Sequence, residues 1–266
     1  MLLLNAYVWC DNGDGAHARR TGQCSPLGEY LDHGLDILNT VYIGILTAAA
    51  LGAPPLWWVA IALLIPGAGA AAYWEQAQGG VFRLGLLNQI ESVVVLSTVM
   101  IISAVYGVAF WEKPFIGDVT LRLAMLLWSL GTILFGVVRG MIRVALNGLG
   151  KVVPMLALIA CWTAIAGAAA ASALTTIEAV TIATSVNVYF GVQMLGARLQ
   201  KQRPRVDAVI LLGACALGVA IVLKTQGIPV ATDIGGALAL SACAIFGGLA
   251  AQGTRKGLQQ LDRMAA

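Results

Sequence analysis

The sequence predicts an all-α protein, a polytopic transmembrane helical bundle of about eight full spans preceded by an N-terminal half span. Three observations predict it. Of the 266 residues, 59% are hydrophobic and only 11% charged, where a soluble domain carries about 25% charged residues, and the mean hydropathy is +0.84. Eight runs approach the roughly 20 apolar residues that a membrane-spanning helix needs. Lys and Arg fall in alternate connections between those runs.

In chain order, residues 1–10 make only half a span, since ten helical residues rise about 15 Å through a core of about 30 Å. The start MLLLNAYVW lacks a basic flank and an A-x-A cleavage site, so it does not read as a signal peptide. An acid-rich connection over 11–34 leads into the first full run. The runs lie at roughly 35–53, 56–74, 89–110, 120–138, 152–172, 177–197, 207–224 and 232–250. Small residues such as AGAAAASA (165–172) suit close helix packing. No Pro-rich or Ser-rich linker interrupts the pattern, so 1–266 reads as a single domain.

Alternate connections, starting from 11–34, carry Arg19 and Arg20; Arg83; Arg139, Arg143 and Lys151; Arg198, Lys201, Arg203 and Arg205; then Arg255, Lys256 and Arg263. The other side holds only Lys113, Arg122 and Lys224. By the positive-inside rule the richer side is cytosolic, and with it the 11–34 segment and the C-terminus. Trp57, Trp58, Trp111 and Tyr73 fall near the expected interfaces and read as an aromatic belt. A net charge of +3 without a basic stripe speaks against nucleic acid. Cys10, Cys24, Cys161, Cys215 and Cys243 are scattered, odd in number and without CxxC spacing, which speaks against a zinc site or a disulfide framework.

The acidic residues are unevenly placed. Five of the 13 fall between Asp11 and Asp36. Asp11 and Asp14 are three apart and Asp32 and Asp36 four apart, so on helices each pair shares a face. If the two helices lie side by side, four carboxylates converge at the membrane boundary and repel one another unless neutralised. Carboxylate oxygens are natural ligands of Mg²⁺ or Mn²⁺, and two such ions about 4 Å apart would polarise a phosphorus centre. Gly15 and Ala18 face the same way and leave room for a nucleotide, and Arg19 offers a bidentate fork to phosphate.

The segment D11-N-G-D14-G15-A-H-A18-R19 through G28-E-Y-L-D32-H-G-L-D36 resembles, at all eight fixed positions, the signature D-x2-D-G-x2-A-R-x8-G-x3-D-x3-D of the CDP-alcohol phosphotransferase family. The resemblance implies an enzyme that displaces CMP from a CDP-alcohol with a hydroxyl acceptor. It implies metal ligation by Asp11, Asp14 and Asp32, with Asp36 close to two ions or acting as a base. Gly15, Ala18, Arg19 and Gly28 would cradle the CDP part, and a homodimer is expected.

The surrounding words ARRTGQCSPLGEYLDHGLD and YWEQAQGGVFRLGLLNQIE (73–91) are similar to the choline/ethanolamine phosphotransferase branch. That branch has ten spans, so the chain looks like one lacking its first one and a half, with upstream codons expected to encode them. The donor would be CDP-ethanolamine or CDP-choline and the acceptor a diacylglycerol-like lipid. His33 and Glu91 match the histidine and glutamate associated with proton removal there. A carboxylate within a span points by itself to function, yet Glu91 also suits a helix N-terminal acid favoured by the dipole. His33 suits a hydrogen-bonded interfacial histidine. Glu178 reads as structural, and Asn187 and Gln193 as either cavity-lining or helix-bonding groups. Two alternatives stand beside this reading. One is a phosphatidyltransferase with CDP-diacylglycerol as donor and a small alcohol as acceptor. The other is a non-catalytic scaffold or transporter.

Overall fold

A computed structural model of the chain describes residues 2–83, 89–204 and 208–228. Within them are eight helices: α1 (Leu2–Thr21), α2 (Pro26–Ala50), α3 (Pro55–Gly79), α4 (Gln89–Tyr106), α5 (Leu121–Leu146), α6 (Val153–Ala170), α7 (Thr176–Leu199) and α8 (Ala208–Thr225). An antiparallel ribbon of β1 (Pro114–Ile116) and β2 (Val119–Thr120) lies in the α4–α5 connection.

Local chemistry sets the helix ends. Gly22, at φ +69°, ends α1, and the Gln23 N–H reaches back to the Ala18 carbonyl at 3.0 Å, the bond of a Schellman stop. Ser25 then caps α2, its Oγ accepting from the Gly28 N–H at 3.0 Å, with Pro26 at the first helical position. Thr175 and Glu178 form a reciprocal capping box on α7. That gives Glu178 the structural role expected of it.

α3 is the hub, packing against α2, α5, α6 and α7, while α8 leans on α6 and α1 touches α4. The main core gathers Ile37, Trp74, Leu158, Ile165, Val186 and Leu195 with their neighbours. A second cluster around Leu51, Ile61, Val99 and Leu126 fills the other end of α2 and α3. There Arg122 donates to the Leu51 carbonyl at 2.8 Å and pairs with Glu112. At the motif end, Arg198 pairs with Glu29, and Arg83 and Arg143 with Glu75. Arg83, Arg143 and Arg198 therefore share an end with the aspartates and Arg122 does not, which is the segregation that the Lys/Arg pattern predicts.

Among the described residues, four helical stretches are long and apolar enough to cross a membrane: Pro55–Gly79, Leu121–Leu146, Leu149–Ala170 and Thr176–Leu199. Ile90–Tyr106 and Ile210–Thr225 are apolar but shorter. α5 turns Leu127, Leu134, Phe135 and Ile142 outward, as a helix in contact with lipid does. Apart from the short ribbon, the regular structure of the described residues is helical, that of a membrane helical bundle. The run expected at 232–250 lies outside the described residues.

Several expectations need correction. The half span and the first part of the motif form one helix, so the 11–34 connection shrinks to residues 22–25. Helical hydrogen bonding continues through the polar residues because the Gly22 stop comes only after them. α3 continues beyond the run expected at 56–74 to Gly79, and Tyr73 and Trp74 in its last part are buried by packing. Trp111 is likewise buried, its Nε1–H donating to Ser103 at 2.8 Å. Neither Tyr73 nor Trp111 belongs to an interfacial belt.

Candidate active site

The two halves of the aspartate motif sit on the C-terminal half of α1 and the first turns of α2. The Tyr7 hydroxyl brings them together. It donates to Asp36 and lies 3.3 Å from Asp11 Oδ1. Asp32 sits one turn from Asp36, partly buried, while Asp14 is exposed. Burial raises the Asp32 carboxyl above the ordinary carboxylate range, and the charges of Asp14, Asp11 and Glu29 push the same way, against His33. Four acids here disfavour one another's ionised forms. Among the described residues no three His, Cys, Asp or Glu side chains converge as a metal-holding group. The donor set is nonetheless of the right chemistry for a hard divalent cation, with carboxylates from both helices in mutual electrostatic contact.

The small residues of the motif have visible local roles. A Cβ on Gly15 would meet Arg19 Nη1 at 3.3 Å, so the glycine leaves room for the guanidinium to fold back over the helix. A Cβ on Gly28 would lie 3.2 Å from Ser25 Oγ, crowding the α2 cap. Arg19 is exposed and available to a phosphate.

His33 follows Asp32, its Nε2 3.9 Å from Asp32 Oδ2. Its ring stacks on Phe82, with centroids 6.1 Å apart and planes at 14°, and leans on Tyr73 at 5.7 Å. Nδ1 is buried without a hydrogen-bond partner among the described residues. Glu91 stands exposed in the first turn of α4. Its neighbour Ser92, rather than Glu91, faces the cavity described next.

That cavity, about 360 Å³, runs between α2, α3, α4 and α5. Asp36, Asn39 and Thr40 border it on α2, and its depth is apolar, with Leu51, Ile65, Leu96, Val99 and Met125. Glu75, Arg83, Arg139 and Arg143 also line it. The Arg143 guanidinium forks onto Glu75 with two bonds of 2.7 Å, and Arg83 lies 3.4 Å from the same carboxylate. A Cβ at Gly140 would come within 2.9 Å of Glu75 Oε2, so this fork needs glycine there.

Sequence reasoning missed Tyr7, Glu75 and this fork. The spacing of four between Tyr7 and Asp11 was a usable signal. Glu75 and Arg143 are 68 residues apart, and no local pattern joins them.

Residues 1–132 match the model of the family described as CDP-alcohol phosphatidyltransferase. The chain carries a CDP-alcohol phosphatidyltransferase family domain. Over 148 residues it is 33% identical to "Cholinephosphotransferase 1" of Homo sapiens, covering 54% of this chain and 36% of that protein. The Mus musculus protein of the same name is 33% identical, over 54% of this chain and 37% of its own length. "Uncharacterized CDP-alcohol phosphatidyltransferase class-I family protein 3" of Dictyostelium discoideum is 35% identical over 123 residues, 44% of this chain and 30% of that one. The chain matches about a third of the length of these relatives. The family match covers α1 to α4 and the first half of α5, and so includes the whole aspartate motif and the walls of the CDP-alcohol phosphatidyltransferase domain's cavity up to Thr132.

Proposed function

We propose that the protein transfers a phospho-aminoalcohol, phosphoethanolamine or phosphocholine, from a CDP-alcohol to a lipid hydroxyl such as that of diacylglycerol, releasing CMP. The observation that carries this is the placement of Asp36 on the wall of a cavity whose depth is apolar. A headgroup-transfer centre and a berth for acyl chains thereby adjoin.

Asp11, Asp14, Asp32 and Asp36 would hold Mg²⁺ or Mn²⁺, two ions in the family's pattern, which supply charge neutralisation at the diphosphate. Arg19, beside the small faces of Gly15 and Ala18, binds the CDP phosphates by its planar fork, with Gly28 setting the turn that faces them. The acceptor hydroxyl has a high pKa and needs a proton acceptor in reach. Of His33, Glu91 and Asp36, His33 is the side chain whose ring is clamped beside the aspartates by Phe82 and Tyr73. It takes the proton in this reading, with Glu91 or Asp36 as the other candidates. The apolar depth keeps the acyl chains out of water. The remaining expectations belong to the same proposal: eight spans and a half, a site on the cytosolic side, and a homodimer.

The test is CMP release by the purified protein in nanodiscs, with and without Mg²⁺ or Mn²⁺, over CDP-choline, CDP-ethanolamine and CDP-diacylglycerol. Release from the first two donors with diacylglycerol supports the proposal. Release from CDP-diacylglycerol alone transfers the assignment to the phosphatidyltransferase alternative, and no release from any donor leaves a non-catalytic protein.

A further inference from the structure

We propose that Tyr7 is a positioning residue for the carboxylate site, holding Asp36 in the orientation that a divalent cation requires. This rests on the metal-site reading above. α1 is poorly anchored by packing: Val8 is its only buried residue among those described, while Leu2, Leu3 and Trp9 are 80%, 86% and 81% exposed. Hydrophobic contact therefore does little to place Asp11 and Asp14 relative to α2. A polar contact does that work: Tyr7 donates to Asp36 of α2, 29 residues away in sequence, while Asn5 donates to Ser97 at 2.9 Å and ties α1 to α4 instead.

The chemistry of the Tyr7 contact differs from a simple tether. A phenol is neutral and protonated at neutral pH, so it can donate to a carboxylate without competing as a cation. A hydrogen bond to an ionised acceptor is short and strong. It occupies one lone pair of Asp36 Oδ1 and leaves the other oxygen, and the rest of the roughly four acceptor sites, for a cation. Because Asp11 Oδ1 is only 3.3 Å from the same hydroxyl, Tyr7 sits between one carboxylate of each half of the motif. Groups that orient metal-ligating side chains in this way typically change metal affinity or activity about 10- to 100-fold when removed.

The experiment is Mn²⁺ titration followed by electron paramagnetic resonance on the full chain in nanodiscs, for wild type, Tyr7→Phe, Asn5→Ala and Asp36→Asn. Tyr7→Phe keeps the ring, and an unchanged melting temperature confirms that the fold is kept. The expected result is Mn²⁺ binding weakened about 10- to 100-fold by Tyr7→Phe and unchanged by Asn5→Ala, which loosens α1 without touching an aspartate. CMP release by Tyr7→Phe should recover at saturating Mn²⁺ with an unaltered KM for the CDP-alcohol. Equal weakening by Tyr7→Phe and Asn5→Ala would reduce Tyr7 to a tether and overturn the proposal. Wild-type affinity in Tyr7→Phe, with affinity lost in Asp36→Asn, would overturn it too. Wild-type affinity in Asp36→Asn would instead remove the metal-site reading beneath it.

Discussion

The side chain of Asn187 on α7 donates to the backbone carbonyl of Ala62 on α3 at 3.1 Å. The reason lies four residues on. Pro66 has no N–H, so the Ala62 carbonyl has lost its helical donor. Asn187, fully buried, supplies one, bonds the Leu63 carbonyl at 3.0 Å with the same amide, and accepts from Trp162 Nε1 at 2.8 Å. The Trp162 ring in turn lies where a Cβ on Gly67 would sit, 2.3 Å from that position. A kink-prone site in the hub helix is thus closed by two neighbouring helices.

Asn187→Leu should destabilise the bundle by about 1–3 kcal/mol, the usual consequence of orphaning a buried polar group. Pro66→Ala returns a donor to Ala62, so the two changes together should cost less than their sum. A double-mutant cycle of unfolding in detergent measures the coupling. Strict additivity would show that the amide does not serve the proline gap.

Gly140→Ala should disturb the Glu75–Arg143 fork, because the new methyl group would meet a carboxylate oxygen 2.9 Å away. Overpacking of this kind costs about 1–3 kcal/mol. Arg143→Lys removes the bidentate geometry while keeping the charge, and should lower the melting temperature in the same direction. A melting temperature equal to wild type in both variants would show that the fork contributes nothing to stability.

Charge repulsion within the motif makes a prediction that separates function from stability. In EDTA, Asp32→Asn should melt at a higher temperature than wild type, since it removes a partly buried charge that Asp14, Asp11 and Glu29 disfavour. Added Mn²⁺ should stabilise wild type, as any ligand that binds the folded state does, and should not stabilise the variant. CMP release should be abolished in Asp32→Asn and in Asp36→Asn while both remain folded and inserted. Full activity in either variant would refute the metal assignment.

Val99→Trp places a large ring in the apolar depth of the cavity. With diacylglycerols of graded chain length, KM should rise for long acyl chains and change little for short ones. An equal loss for all lengths would place the acyl chains elsewhere.

Glu91→Gln should slow the chemical step more than it weakens nucleotide binding if the residue removes a proton. Equal losses in kcat and in CDP-alcohol affinity would make it a helix-terminal acid of structural value, consistent with its exposed place in the first turn of α4.

Much of the fold was legible because it follows from short-range patterns. The apolar runs depend on neighbours a few residues apart; so do the stops at Gly22 and Gly80 and the caps at Ser25 and Thr175, local signals that went unread. The aspartate motif was legible for the same reason, since helical spacing puts Asp32 and Asp36 on one face before any fold is known. Boundaries were less so. α2 begins well before its apolar run, and α5 continues past Arg139 to Leu146, because backbone hydrogen bonding does not stop where hydropathy does. The burial of Tyr73 and Trp111 could not be read at all: an aromatic residue at a span end is interfacial or buried according to which helix packs over it.

The residue order alone determined that this chain has the apolar runs of a membrane protein, that five of its 13 acids gather between Asp11 and Asp36, and that the aspartates there have the spacing of a CDP-alcohol phosphatidyltransferase family domain. These are properties of composition and of contacts within a few helical turns. Only the tertiary structure decided that Tyr7 reaches Asp36, that Arg143 forks onto Glu75 across 68 positions, that Asn187 mends the gap left by Pro66, and that an apolar cavity opens beside the aspartates. Each of those depends on which helices pack together, and that is settled by the free energy of the whole bundle rather than by any segment of it.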